Sequence, residues 1–305
     1  MDLRQLQAFL AVVDHGGFTA AAKATHTVQS NISTHVARLE RHLDATLIDR
    51  ATGKPTQEGG AVLLRVRRIQ NELASMEADV SSLRNSPRGQ VRIGVIGTTA
   101  RWIAPLLFEE LKTVAPDIHL VVADGTTRAI ELRLLDGELD LGIVSLPLNE
   151  SEIKTAPLFQ EDHIVVCPDT HPLSSASDVT LHTLAQYPLL LAAPDTRFRR
   201  EVDDAFRSAG ARPQPQMEVD GLRLLASMAF QGLGIAILPA TATPGWLNGP
   251  WTTIAVPGLA RRTVGMATRR RGMPTVAAQT AQSIVHRLVR QQARTMPGLH
   301  LPAEP

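Results

Sequence analysis

Residues 18–43, FTAAAKATHTVQSNISTHVARLERHL, decide how the rest of the chain is read. Ile32, Val36, Leu39 and Leu43 recur at spacings of four, three and four, a single apolar stripe at the helical period. The other side of the same segment opens with Gln29, Ser30, Asn31, Ser33 and Thr34, which are short, polar and uncharged. A merely solvated helix tends to carry Glu and Lys pairs. Small hydrogen-bonding side chains suit a helix that must approach something closely, and the major groove of a duplex is such a surface. Just upstream, Ala20, Ala21, Ala22 and Ala24 form a small-residue helix that a second helix can cross at short range, and Thr25-His26-Thr27-Val28 is the turn between them. Leu3, Leu6, Phe9, Leu10 and Val13 add a preceding helix. It ends at Gly16, which suits a left-handed stop, and Gly17 can cap the next helix.

On the other side of this stretch, Leu47 to Arg50 reads as a short strand and Thr52 to Thr56 as a turn returning from it. Arg50 and Lys54 flank that turn, where a wing can rest on phosphates. From Gly60 the pattern changes. Val62, Val66, Ile69, Leu73, Met76, Val80 and Leu83 alternate spacings of four and three, the seam of a coiled coil, which needs a partner. The competing reading is a long helix packed on its own domain. Ser86-Pro87-Arg88-Gly89 then punctuates the chain. Beyond it, strands at 90–95, 118–123 and 140–144 alternate with helices at 104–114 and 129–135. The texture resumes with strands near 189–191, 216–219 and 234–238 and helices near 198–209 and 222–230. That alternation predicts an α/β fold with parallel sheets and crossover helices, in two halves joined by strands around Ile164 and Val256. A cleft would lie between the halves, where ligands meet strand ends and helix N-termini.

Composition limits the function classes. Lys and Arg number 31 against 30 Asp and Glu, so nucleic-acid binding must rest on the arrangement of side chains and not on bulk charge. An architectural or helicase-like DNA binder is disfavoured for the same reason. No acid occurs between Asp220 and Glu304 while Arg261, Arg262, Arg269, Arg270, Arg271, Arg287, Arg290 and Arg294 accumulate; we read this as mainly a solvated face of a strand pair and a final helix. A run of apolar residues long enough to span a bilayer is missing, and the amphipathic N-terminus is unlike a signal peptide, which predicts a cytoplasmic protein without membrane contact. Cys167 is the only cysteine and sits in an apolar run, as a buried structural thiol does.

With these pieces assembled, the chain resembles the LysR-type transcriptional regulators over nearly its whole length. The likeness is carried by the Met1-Asp2-Leu3-Arg4-Gln5-Leu6 opening, Gly17-Phe18-Thr19 with Ala21-Ala22, Gln29-Ser30-Asn31-Ile32-Ser33, Leu39-Glu40, Leu43, Leu47, Arg50, Thr56 and Gly59. It implies an N-terminal winged helix-turn-helix (1–59), a dimerising linker helix (60–86), and an effector-binding domain (87–305) of two α/β lobes like periplasmic binding proteins. Lobe I would comprise about 87–162 and 265–295, and lobe II about 163–264. Some positions depart from the family. Val28 stands where Ser or Thr is usual before the recognition helix, leaving its start short of an acceptor by about 1 kcal/mol unless Thr27 serves. Thr25 replaces Leu, Asp44 replaces Gly and Ile48 replaces Phe. These departures bear on cap geometry and not on the fold.

A dimer would set two recognition helices in successive major grooves about 34 Å apart, so the target is an interrupted inverted repeat in double-stranded DNA. Gln29 can pair with adenine, and Asn31 and Thr34 can reach base edges. Ser30, Ser33, Arg38, Arg50 and Lys54 suit phosphates. For the effector, the loop Gly97-Thr98-Thr99-Ala100 would offer hydroxyls and backbone N–H groups at a helix start. The resemblance implies a cleft lined by Thr98, Thr99, Thr126, Ser145, Asp195 and Thr196, holding a small organic effector, an anion for preference. It also implies homodimers pairing into tetramers, with RNA polymerase as a further contact. No cofactor or metal is expected. Gly232-Leu233-Gly234 continues into an apolar strand and is no dinucleotide fingerprint, and neither a nucleophile elbow nor a phosphate loop occurs, so the chain does not read as an enzyme. The alternative is a cytoplasmic small-molecule-binding protein without a regulatory role, which leaves residues 1–85 unexplained.

Overall fold

The computed structural model describes residues 1–82 and 87–302. The expected seam residue Leu83, the linker residue Ser86 and residues 303–305 of the expected effector domain lie outside the described residues. The chain divides into two units, one formed chiefly by residues 1–80 and the other by nearly all of residues 81–305.

In the first unit, Asp2 caps α1 (Leu3–His15) by accepting the Gln5 N–H at 3.0 Å, and Gly16 ends it at φ 72°. Then come α2 (Phe18–Ala24), α3 (Gln29–Leu43) and α4 (Gln57–Ser82). Phe9, Val12, Ala21, Val36, Leu39, Leu47 and Ile48 form a core without solvent exposure. The expected strand after α3 is reduced to one bridge, Ile48 to Pro55, closed by Asp49 N–H to Lys54 O at 2.9 Å. Helix α4 begins three residues before the expected Gly60, because the Thr56 hydroxyl accepts the Gly59 N–H at 3.0 Å and caps it. Gly59 must be glycine: a Cβ there would meet the Leu47 carbonyl oxygen at 2.0 Å. The expected seam divides. Val66 is buried in the core of its own unit with Val62 and Leu63 packed against it, while Ile69, Met76 and Val80 are exposed.

The second unit contains β1 (Gly89–Ile96), α5 (Gly97–Val114), β2 (Ile118–Gly125), α6 (Thr127–Leu135), β3 (Leu141–Leu146), β4 (Ile153–Pro168), α7 (Leu181–Leu184), β5 (Pro188–Ala192) and α8 (Arg197–Ser208). It continues with β6 (Gln214–Val219), α9 (Leu222–Phe230), β7 (Ile235–Pro239), β8 (Trp251–Ala255), β9 (Arg261–Arg269), α10 (Val276–Gln292) and β10 (Leu299–His300). Two hydrophobic cores, one around Ile93, Trp102, Phe159 and Val285 and one around Val166, Leu190, Phe206 and Ile237, define the two lobes.

The sheets are mixed, which corrects the expectation of parallel sheets. Strand β1 is parallel to β2 and β3, and β5 to β6 and β7, but β9 is antiparallel to β3 and β4, and β4 is antiparallel to β7 and β8. Strand β4 serves both lobes: residues 153–162 pair with β9, and residues 163–166 pair with β7. The second crossing is not a strand at Val256. Pro257 cannot donate to a ladder and Gly258 turns at φ 91°, so the chain re-enters lobe I at Arg261, where β9 begins. Lobe I also extends beyond residue 295, through β10 paired with β4. Helix α5 starts at Gly97 and not at Ala104. The helix runs through Pro105, and Gly97 to Ala100 are helical and not a loop.

Candidate nucleic-acid interface and effector cleft

Helix α3 turns Ile32, Val36 and Leu39 inward and leaves Gln29, Ser30, Asn31, Thr34 and Arg38 exposed. Val28 is its N-cap residue and makes no side-chain cap bond. Thr27 does not substitute for it, since its hydroxyl accepts from Asn31 Nδ2 at 3.1 Å. Gln29 Oε1 accepts from the Thr19 hydroxyl at 3.3 Å, and the Thr34 hydroxyl donates to Ser30 O at 2.8 Å. Ser33 is half-buried and accepts from Arg50, whose guanidinium also pairs with Glu40 at 3.4 Å and lies 5.3 Å from the Phe18 ring centroid. Glu40 in turn accepts the Leu47 and Ile48 N–H groups, so Arg50 is fixed where the turn leaves α3. Lys54 is exposed at the wing tip.

In the second unit, the hydroxyls expected to line the cleft are mostly engaged. Thr98 and Thr99 are buried. The Thr98 oxygen accepts from the Thr241 hydroxyl at 3.2 Å and from Arg262 Nη2 at 3.3 Å. Thr126 is exposed and accepts the Ala129 N–H, and Thr196 caps α8 by accepting the Arg199 N–H at 3.1 Å. Ser145 is buried and its N–H donates to the Thr127 hydroxyl, while Asp195 is exposed and offers its carbonyl to Arg200.

Sequence reasoning missed the groups that the crossing strands bring to this point. Glu161 and Arg262 face one another across β4 and β9 and form an ion pair at 2.6 Å, both buried. The second Glu161 oxygen accepts the Thr241 N–H at 2.9 Å. Arg262 is the exception to the expected solvated face of the arginine-rich end, where Arg261, Arg270, Arg271, Arg287, Arg290 and Arg294 are exposed. Its neighbour Arg261 points the other way to Asp162 at 2.7 Å, Arg269 donates to the Leu134 and Leu139 carbonyls, and Arg287 pairs with Glu110 at 2.5 Å. The charged run Glu161-Asp162-His163 inside an apolar strand was the available signal. His163 is buried, packs on Phe198 at 4.6 Å between centroids, and stands 3.6 Å from Glu201. Burial, and secondarily the Arg262 charge, press its pKa down to about 3, so it is neutral. Two contacts span the lobes nearby: Arg197 Nη1 donates to Pro147 O at 3.0 Å, and Arg223 pairs with Asp124. Cys167 is buried, and burial raises its pKa, as an inert thiol requires. Among the described residues no helix is long and apolar enough to cross a membrane.

Residues 3–60 match the bacterial regulatory helix-turn-helix family of lysR type, and residues 84–289 match the LysR substrate binding domain. A probable hydrogen peroxide-inducible genes activator of Mycobacterium leprae is 31% identical over 242 residues, 78% of this chain and 78% of that protein. The uncharacterised regulator YvbU of Bacillus subtilis is 30% identical over 248 residues, 80% of this chain and 84% of its own. Among solved structures, full-length CbnR complexed with its target DNA superposes with a TM-score of 0.72 at 22% identity, covering 96% of this chain and 100% of that one. A full-length OxyR variant from Pseudomonas aeruginosa gives 0.71 at 22%, covering 100% and 99%. At that identity the structural likeness shows the fold. The matched families and relatives are regulators and not enzymes, and the match over residues 3–60 removes the reading of a binding protein without a regulatory role. The chain belongs to the LysR family: it is a DNA-binding transcriptional regulator with a helix-turn-helix at its N-terminus and an effector-binding domain of two α/β lobes behind it.

Proposed function

We propose that two copies of the chain pair through the exposed Ile69, Met76 and Val80 face of α4 and present two α3 helices to an interrupted inverted repeat. The observation that carries this reading is the outer face of α3, where Gln29, Ser30, Asn31 and Thr34 are exposed and uncharged. Gln29 and Asn31 read base edges, exchanging their internal bonds to Thr19 and Thr27 for bonds to DNA. Ser30, Ser33, Arg38, Arg50 and Lys54 hold phosphates. Pairs of dimers form tetramers in the cytoplasm, and RNA polymerase is the further partner. A small organic acid enters between the lobes, its carboxylate at the first turn of α5, where Ile96 provides no side-chain cap for the leading N–H groups. Its binding changes the lobe arrangement and so the spacing of the DNA-reading heads. Several relatives are named as peroxide-inducible activators. An intrachain disulfide switch is not open to this chain, which has one cysteine, and that one buried.

The test is gel-shift titration of Gln29→Ala against operator and scrambled DNA. The substitution narrows the affinity gap by about 1 to 3 kcal/mol. Full discrimination retained by the mutant would remove α3 as the reading helix.

A further inference from the structure

Strand β4 places Phe159, Glu161 and His163 on one face, at alternate positions. Each meets a different partner. Phe159 meets the Trp102 ring edge-on at 5.4 Å, Glu161 meets Arg262, and His163 meets Phe198. Arg262 links the series, since its guanidinium bonds Thr98 at the α5 start and lies 6.0 Å from the Phe198 centroid. Glu201 completes the surround of His163 and is itself held by Arg197 at 2.9 Å.

The hydrogen-bonding capacity of this cluster is unevenly used. The hydroxyls of Thr98, Thr126 and Thr196 already serve the protein. Both ring nitrogens of His163, the Thr99 hydroxyl and Trp102 Nε1 are buried with no hydrogen-bond partner among the described residues. A neutral imidazole offers one donor and one acceptor, and each left unmade is costly in a protein interior. The His163 to Glu201 separation of 3.6 Å is too long for a direct hydrogen bond. The His163 side chain has no exposed surface and that of Glu201 is 23% exposed, so an oxygen bridging the two, donating to the carboxylate and accepting from the ring N–H, enters as the Glu201 carboxylate swings outward.

We propose that His163 and Glu201 together form the specificity-determining contact for the effector, and that they read a hydroxyl group, so that the effector is a small hydroxylated organic acid. This rests on the reading of the interlobe cleft as the effector site. The apolar part of the molecule lies against Phe198, and its hydroxyl sits between the imidazole and the carboxylate. An analogue lacking the hydroxyl strands both groups and is rejected on that account.

The experiment uses the full chain and matched acids with and without a hydroxyl: lactate against propionate, and salicylate and 4-hydroxybenzoate against benzoate. Thermal shift gives affinity and hydrogen exchange gives location. We expect at least one hydroxylated member to bind about tenfold or more tighter than its parent, with protection in residues 97–100, 161–163 and 196–201. Folded His163→Phe, with a cooperative melt, loses the preference, and His163→Gln, which keeps a donor and an acceptor, retains it. Equal response to every pair, or an undiminished preference in His163→Phe, overturns the proposal. Protection elsewhere in the chain overturns the cleft reading itself. Protection in the cleft with an unchanged preference in His163→Phe overturns only the role of His163.

Discussion

At the scale of single residues, two positions combine a local cost with a measurable consequence. His163 is held neutral in the folded chain, with a pKa near 3 against an ordinary 6.5. Between those values the unfolded chain takes up a proton that the folded chain refuses. The stability tied to this ring is therefore complete above pH 6.5 and falls as the pH drops toward 3, by up to about 1.4 kcal/mol per unit. Urea midpoints measured from pH 7 to 4 should decline, and His163→Phe should flatten the decline. Identical slopes in the two proteins would mean that the imidazole is not kept uncharged. Val28 precedes α3 in an extended conformation with no side-chain acceptor for the helix start. Val28→Ser supplies one and should raise the unfolding free energy in urea by about 1 kcal/mol; an unmoved midpoint would mean that the helix start gains nothing from an acceptor there. The departure at Val28 was visible in sequence because a cap is a local device. Arg262 was not. In a strand, neighbours point to opposite faces, so the pair Arg261-Arg262 looks uniform in a charge count while one member reaches Asp162 and the other is buried against Glu161.

At the scale of elements, the helices were legible and their ends less so. The stripe of α3 fixed its span because apolar period and polar face agreed. Helix α5 begins at Gly97, ahead of the expected Ala104, so the hydroxyls of Thr98 and Thr99, expected in a loop, lie within its first turn. The seam of α4 was read as one surface, yet its N-terminal part belongs to the core of its own unit, since Val66 is 3% exposed and Met76 57%. That division makes a prediction about α4. Ile69→Asp with Met76→Asp should leave the melting of the first unit nearly intact but convert a dimer to a monomer in ultracentrifugation at micromolar concentration, with loss of operator affinity. Val66→Asp should unfold the first unit instead, because it places an unpaired charge in the core. If the double variant still sediments as a dimer, the exposed half of α4 is not the pairing surface.

At the scale of the whole molecule, sequence alternation revealed two half-domains but not how they are joined, because pairing between distant strands leaves no local pattern. The join is β4 with β9, and its centre is the Glu161 and Arg262 pair. Breaking one side of a buried pair leaves an uncompensated charge, so Arg262→Met should cost about 3 to 5 kcal/mol in urea unfolding. Adding Glu161→Gln removes the stranded charge while keeping an acceptor for the Thr241 N–H, and should restore part of the loss; a double variant no more stable than Arg262→Met would show that the charge is not what matters. The same join limits how the two lobes can move. Strand β4 passes from one sheet into the other between Asp162 and His163 without an interruption. If effector entry moves the lobes as proposed, it has to twist this continuous strand like a torsion bar, and the β4 amides on either side of the join should stay protected from hydrogen exchange when effector is added.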